Sequence, residues 1–507
     1  IQMGTRIRLP RLVLLAALTG IGSTVFGCLQ PAKEAPAVNP VSSPTNAGRS
    51  LVRSPARTAA SPTPAAPSPA ASPATAAPPA SPAGSSSDPS AVAVIATIAA
   101  AAQPLTGSPT DYDALIAQLA DADFVLLGEP SHGTHEVYEE RAEITRRLID
   151  EAGFSGLVIE GDWPDAWRVD RYVRGIGDDT TPAEALGEFD EFPEWMWRND
   201  AFAELVGWLH ERNGALPYER QAGVYGMDLY SLPESIAAVA PELRPFDAAA
   251  AARAERHYTC AGTTGTLDPS GEGRSCEQQV GAVLREAMEV ADAVPPAEGE
   301  QADRAFSAVQ NARIVVNGRR YAIGEGGATE PPWNIRDRHM GETVSALREH
   351  LLRTGRSGKL VIWAHNSHIG DARATDVADR GQLNLGQLVR EESGVESVLV
   401  GFSTYTGTVT AAHRWGDPAV QMDVLPALPG SHPELLHEVS QVAADDFLVF
   451  LGPEAPAPLR DERLERYIGV IYLPQTERQS HYFGTVIADE YDVLIHLDET
   501  TAVRPLD

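Results

Sequence analysis

Cysteine is scarce in this chain, with three among 507 residues. None is placed to act as a nucleophile, and no G-x-S-x-G turn occurs. Both absences favour direct attack by water over chemistry through an acyl-enzyme. No H-E-x-x-H or C-x-x-C framework anchors a metal, and no tandem repeat of fixed length is visible. Positive charge is also short. Residues 1–90 carry seven of the 40 Lys/Arg and two of the 70 Asp/Glu, so the remainder has a formal charge of −35. Such a surface repels phosphate backbones and anionic headgroups, which excludes nucleic acid as a partner and leaves a neutral or cationic small molecule compatible.

The N-terminus reads as a targeting segment. Arg6, Arg8 and Arg11 precede an apolar run from Leu12 to about Gly27, short of the ~20 residues a membrane span needs. Cys28 follows directly after "TVFG". Residues 1–28 therefore resemble a lipoprotein-type signal peptide, with Cys28 lipidated and the protein exported and anchored at the cell envelope or its extracellular face. An ordinary secretory signal with a chance cysteine is the alternative. From 29 to 90 the composition collapses to Pro, Ala, Ser and Thr, which cannot bury enough apolar surface to order itself and reads as a tether. Residues 91–507 are left as the folded domain. Its two cysteines, Cys260 and Cys276, bracket the Gly-rich "AGTTGTLDPSGEGRS". In an oxidising compartment they are expected to pair, closing a loop worth ~3 kcal/mol in the chain-entropy model.

Within the domain, short continuous apolar runs alternate with helical periodicity. "FVLL", "GLVIE", "GVYGMD", "KLVIWAHN", "SVLVGF" and "FLVFL" repeat the theme, with "VLIHLD" near the end. This pattern predicts an α/β fold, a mainly parallel central sheet flanked by helices. "DYDALIAQLADA" reads as a helix capped by Thr110 or Asp111. "EVYEERAEITRRLIDEAG" reads as one that buries Val137, Ile144, Leu148 and Ile149 and ends at Gly153. The helix-rich stretch at about 230–355 is expected to be an insertion or cap.

Chemistry collects where the runs end. Glu129 follows the first, Glu160 closes the second, Asp228 the third, and His365 and His368 follow the fourth, with His132 beside Glu129. In an open parallel sheet the crevice beyond the carboxyl ends of the strands binds ligands. One acidic residue at a strand end is ordinarily a helix cap or a solvated charge. Four strands delivering titratable groups to one rim indicate a site.

"GEPSHGTHE", "FSGLVIEGDWPDAWRVDRYVRG", "PEWMWRNDAFAELVGWLHERN", "VYGMD", "NIRDRHM", "WAHNSHI" and "YDVLIHLDETTAVRPL" stand in the order found in the erythromycin esterase family, which the chain resembles from about Ala114 to Leu506. The resemblance implies an α/β hydrolase that opens lactone rings of macrolide antibiotics with water, a resistance activity. It also implies His132 as general base, with Glu129, Arg141, Glu160, His365 and His368 as the other polar residues of the cleft. An imidazole titrating near neutrality suits the removal of a proton from water, and Glu129 or Glu160 would fix its tautomer. Arg141, His365 or His368 would stabilise the oxyanion or protonate the leaving alkoxide. No cofactor is required on this reading. A rival uses the same His and Glu groups to hold zinc or manganese, His132/His135 and His365/His368 being spaced i, i+3. A non-catalytic metal- or haem-binding envelope lipoprotein is the third reading. "EFDEFPEWMWRNDAF" makes Trp195 and Trp197, with Asp228, the candidate substrate-binding residues, against a packed helix start as the alternative.

Overall fold

The computed structural model describes residues 89–261, 275–324 and 330–506. The signal, Cys28 and nearly all of the tether fall outside these. Among the described residues no helix is long and apolar enough to cross a membrane.

Eleven strands occur among the described residues: β1 (Gln103–Pro104), β2 (Phe124–Leu127), β3 (Gly156–Asp162), β4 (Gly223–Asp228), β5 (Leu360–Trp363), β6 (Ser397–Ala411), β7 (Val420–Val424), β8 (Asp446–Phe450), β9 (Arg463–Arg466), β10 (Tyr482–Thr485) and β11 (Val493–Thr500). Nine form one sheet in the order β1-β8-β11-β6-β2-β5-β3-β4, with β7 paired to β6 off that path. From β11 to β4 every neighbour is parallel. β1, β7 and β8 pair antiparallel. "FLVFL", read as one more member of the parallel set, thus runs antiparallel to both of its neighbours, β1 and β11.

β2 and β5 are apolar throughout, and β3 and β4 are so up to their carboxyl ends, because both faces are covered. Val125, Leu127, Ile159 and Trp363 point into a core shared with the helices His135–Ala152, Trp163–Val173 and Asp200–Gly214. Phe124, Leu126, Val158 and Ile362 point the other way, onto Met340, Val344, Leu347 and Leu351 of the helix Pro332–Arg353. His135–Ala152 ends as its sequence predicts, at Gly153 in the left-handed region (φ 71°) with its N–H on the Leu148 carbonyl. The helix Asp113–Leu119 is capped by neither predicted residue. Tyr112 stands at its N-cap position, and the Asp111 carboxylate is already taken by the Thr106 and Ser108 amides of the preceding turn.

The helix-rich stretch divides in two. Leu232–Leu243, Ala248–His257, Cys276–Ala293 and one face of Glu300–Gly324 pack a core of their own, where Cys260 and Cys276 are joined as a disulfide. Pro332–Arg353 belongs instead to the layer on the sheet. Glu300–Gly324 touches both cores, and its buried Asp303 ties it down. That carboxylate accepts from Tyr218 Oη (2.6 Å), His350 Nε2 (2.6 Å) and both terminal nitrogens of Arg356.

Candidate active site

The loop after β2 is held by close backbone approach. A Cβ on Gly128 would lie 2.1 Å from Asn366 Oδ1, and one on Gly133 1.9 Å from the Thr410 carbonyl oxygen, so only glycine fits at either end. Between them Ser131 bridges Ile468, and the His132 amide donates to the Ile468 carbonyl at 3.3 Å. The loop is thereby stitched to the segment that follows β9, and His132 is 6% exposed.

Glu129 is the hinge of this corner. One oxygen meets His132 Nδ1 at 2.7 Å, and the other accepts from Arg141 Nη2 at 2.6 Å. Arg141 reaches it from within the His135–Ala152 helix, its guanidinium 4.5 Å from the ring centroids of both Tyr138 and Trp363. With no exposed surface, Arg141 lies behind Glu129 and fixes it. It offers no exposed surface, so the oxyanion or leaving-group role expected of it does not fit its position. The His132 Nε2 atom makes no hydrogen bond among the described residues and keeps solvent contact.

Glu160 enters from the sheet. The β3–β4 register shifts between Ile159 and Asp162, so Glu160 lies in an irregular stretch inside β3, where a bulge re-aims a side chain, and does not close the strand. Its Oε2 accepts the His365 amide at 2.8 Å, and its Oε1 accepts from Arg336 Nη2 at 2.7 Å with His368 Nε2 3.4 Å away. Burial opposes its ionisation, but the positive charge around it, with the Arg336 guanidinium in direct contact, outweighs that and holds it well below the usual carboxylate range. Burial likewise opposes charge on His132, and the carboxylates of Glu160 and Glu129 overcome it, raising His132 above an ordinary imidazole.

The other two histidines are committed at both nitrogens. His365 Nδ1 accepts the Ser367 amide (3.3 Å) and meets its hydroxyl (2.8 Å), which leaves Nε2–H to donate to the Ile468 carbonyl at 3.2 Å. Burial, with His132 beside it at 4.8 Å between ring centroids, pushes His365 well below its usual range. His368 lies between Asp337 Oδ1 (2.9 Å at Nδ1) and Arg336 Nη1 (2.8 Å at Nε2), stacked on Trp333.

Asp228 is at its strand end as expected but is not offered to a ligand. It is buried in a two-pronged ion pair with Arg336, Nε to Oδ1 at 2.9 Å and Nη2 to Oδ2 at 2.5 Å. Trp195 and Trp197, 1% and 5% exposed, sit in the core with Phe189 and Phe202. They do not line a wall open to substrate, because the segment folds inward as a short 3-10 turn ahead of the Asn199-capped helix. Trp197 still serves the site indirectly, its Nε1–H donating to the Glu160 carbonyl at 3.3 Å. Arg336 and Asp337 were not picked out by pattern. They lie in the quoted "NIRDRHM" block, inside a stretch whose helical periodicity reads as a cap. The signal available was that block itself, which stands among those that carry the family resemblance. One subset has the makings of a metal centre, since Glu129, His132 and Glu160 each present a ligand atom, all within 4.8 Å of one another.

The erythromycin esterase family profile matches residues 149–500, beginning beyond Glu129, His132 and Arg141. Three solved structures share the fold. A Bacillus cereus protein matches with a TM-score of 0.63 at 20% identity, over 82% of this chain and 99% of its own. A succinoglycan biosynthesis protein matches at 0.63 and 19%, over 83% and 100%. The erythromycin esterase EreC, as a histidine-to-asparagine mutant in its open conformation, matches at 0.54 and 16%, over 81% and 97%.

Proposed function

Since the chain belongs to the erythromycin esterase family, and with it to the ester hydrolases, we propose that it opens an ester or lactone by direct attack of water, with His132 as general base. The observation that carries this reading is the state of the three imidazoles: only His132 has a ring nitrogen without a partner, while His365 and His368 are tied at both. Glu129, braced by Arg141, takes the His132 Nδ1–H, and the Nε2 lone pair is left for a water proton. The water oxygen bonds to the carbonyl carbon as that proton moves to Nε2, making an imidazolium that faces the Glu160 anion. The C–O bond to the leaving alkoxide then breaks, and the alkoxide takes the proton from Nε2. A carboxylic acid and an alcohol result, joined in one molecule when the substrate is a lactone. The substrate class is a small neutral or cationic ester, with a macrolide ring as the leading candidate, and the enzyme works outside the membrane, tethered through Cys28.

The test is to incubate the full chain with macrolides and simple lactones and weigh the products. Products heavier by one water are expected from at least one substrate; none from any lactone or ester would defeat the reading. A second reading rests on the Glu129, His132 and Glu160 trio, in which a zinc or manganese ion polarises the water. Under general-base catalysis, dialysis against a chelator leaves the rate unchanged. Loss on chelation and recovery with zinc or manganese would transfer the mechanism to the metal.

A further inference from the structure

Asp337, His368, Arg336 and Glu160 form an unbroken line of hydrogen bonds that ends beside His132, and the direction of each bond can be assigned. A guanidinium only donates. Arg336 Nη1, 2.8 Å from His368 Nε2, therefore makes that nitrogen the acceptor, so the His368 proton is on Nδ1. From Nδ1 it is donated to Asp337 Oδ1 at 2.9 Å, an atom that also accepts the Leu385 amide. Stacking on Trp333, with centroids 4.4 Å apart and planes at 11°, holds the ring in that orientation. In this arrangement Nε2 has no proton to give to a leaving alkoxide and no lone pair free to take one.

The guanidinium is keyed on its remaining edges as well. Asp228 takes Nε and Nη2, Nη2 also serves Glu160, and the Tyr230 ring lies 5.2 Å from the guanidinium carbon. Glu160 is then fixed at both oxygens, by Arg336 and by the His365 amide, so it works as an oriented anion toward His132.

We propose that His368 is a positioning residue: with its tautomer set by Asp337, it holds Arg336, and through Arg336 it orients Glu160 against His132, so proton transfer to the leaving group falls to His132 alone. The proposal rests on the general-base reading of His132. It also makes Arg336 and Asp337 members of the site and takes the acid role from His368.

The discriminating pair is His368→Gln and His368→Ala, assayed in the full chain on an aryl ester and an alkyl ester of the same acid. The glutamine amide oxygen can accept the Arg336 N–H but cannot shuttle a proton. On the proposal, His368→Gln stays within about tenfold of the parent rate, in line with outer-partner effects. His368→Ala falls further, by roughly 100-fold, and by the same factor for both esters. Equal losses in the two variants, of about 10²–10⁴ and larger for the poorer alkoxide leaving group, are the signature of a general acid and overturn it. Nitrogen-15 spectra of histidine-labelled protein, assigned by the signal missing in His368→Gln, provide a reading that needs no turnover. A neutral Nδ1–H ring is expected, and an Nε2–H ring refutes the proposal even if no ester is ever cleaved. Failure of the hydrolase reading is thereby separable from failure of this one.

Discussion

His132→Ala is expected to lower kcat/KM by about 10²–10⁴, the range a positioned general base contributes, with the fold retained. Retention follows from the loop's anchoring: the strap between Gly128 and Gly133 is held by the Ile468 pairing and by main-chain bonds from Thr410 and Val503 to the Gly133 carbonyl, none of which uses the imidazole. Far-ultraviolet dichroism checks the fold, and steady-state rates on the best ester check the activity. A variant that keeps the parent rate would sink the mechanism.

The pH dependence of the same residue has a definite sign. The base must be neutral to act, and Glu160 and Glu129 hold its proton more tightly than in free imidazole. The rising acid limb of kcat/KM should therefore lie above the ordinary value of about 6.5. Glu160→Gln removes the anion and should move that limb toward lower pH while slowing the reaction. A limb unmoved by Glu160→Gln would mean that another group titrates. For stability, a folded pKa raised above the unfolded one contributes fully below the unfolded value. That contribution is lost as pH rises through the folded value.

The second large effect concerns stability. Asp303→Asn is expected to cost about 3–5 kcal/mol, the penalty for stranding a buried charge. Arg356 and Asp303 are both buried, so the guanidinium left behind has no water to turn to. His350 and the Tyr218 hydroxyl lose their acceptor charge at the same time. An exposed ion pair would give only about 0–1 kcal/mol, so burial decides the size of the effect. Denaturant unfolding of parent and variant measures it, and a difference under 1 kcal/mol would show that the cluster relaxes around the neutral amide. The carboxyl is held far below its usual range: burial works against ionisation, but the bonds from His350 and Arg356 outweigh it. Its contribution is therefore complete above the unfolded value of about 3.9 and fades as pH falls below that. In acid the parent should lose stability faster than the variant.

The strands and the rim were legible because the central parallel strands β2, β3, β4 and β5 are buried on both faces, so each reads as an apolar run with its first polar group at or near the carboxyl end. Glu129, His132, Glu160, Asp228, His365 and His368 stand out on that account. The amphipathic stripe of His135–Ala152 and its terminal Gly153 are local as well, since periodicity and a left-handed cap depend on neighbours in the chain. The direction of β8 was not legible, because a buried strand has the same apolar composition whether it runs parallel or antiparallel to its neighbours.

The amino-acid sequence by itself determined the mainly parallel α/β architecture, the rim on which the titratable groups gather, and the family to which they belong. Tertiary structure alone decided what each group does there. Arg141 could be aimed only by knowing that it slides between Tyr138 and Trp363 to reach Glu129. Asp228 reads as a ligand for substrate until Arg336, 108 residues away, is found in its grasp, and Glu160 meets the same guanidinium across 176 residues. Which of three histidines keeps a free nitrogen is a question of hydrogen-bond partners. Those partners come from remote strands, helices and main-chain carbonyls, so the reactivity of His132 is a property of the assembled rim.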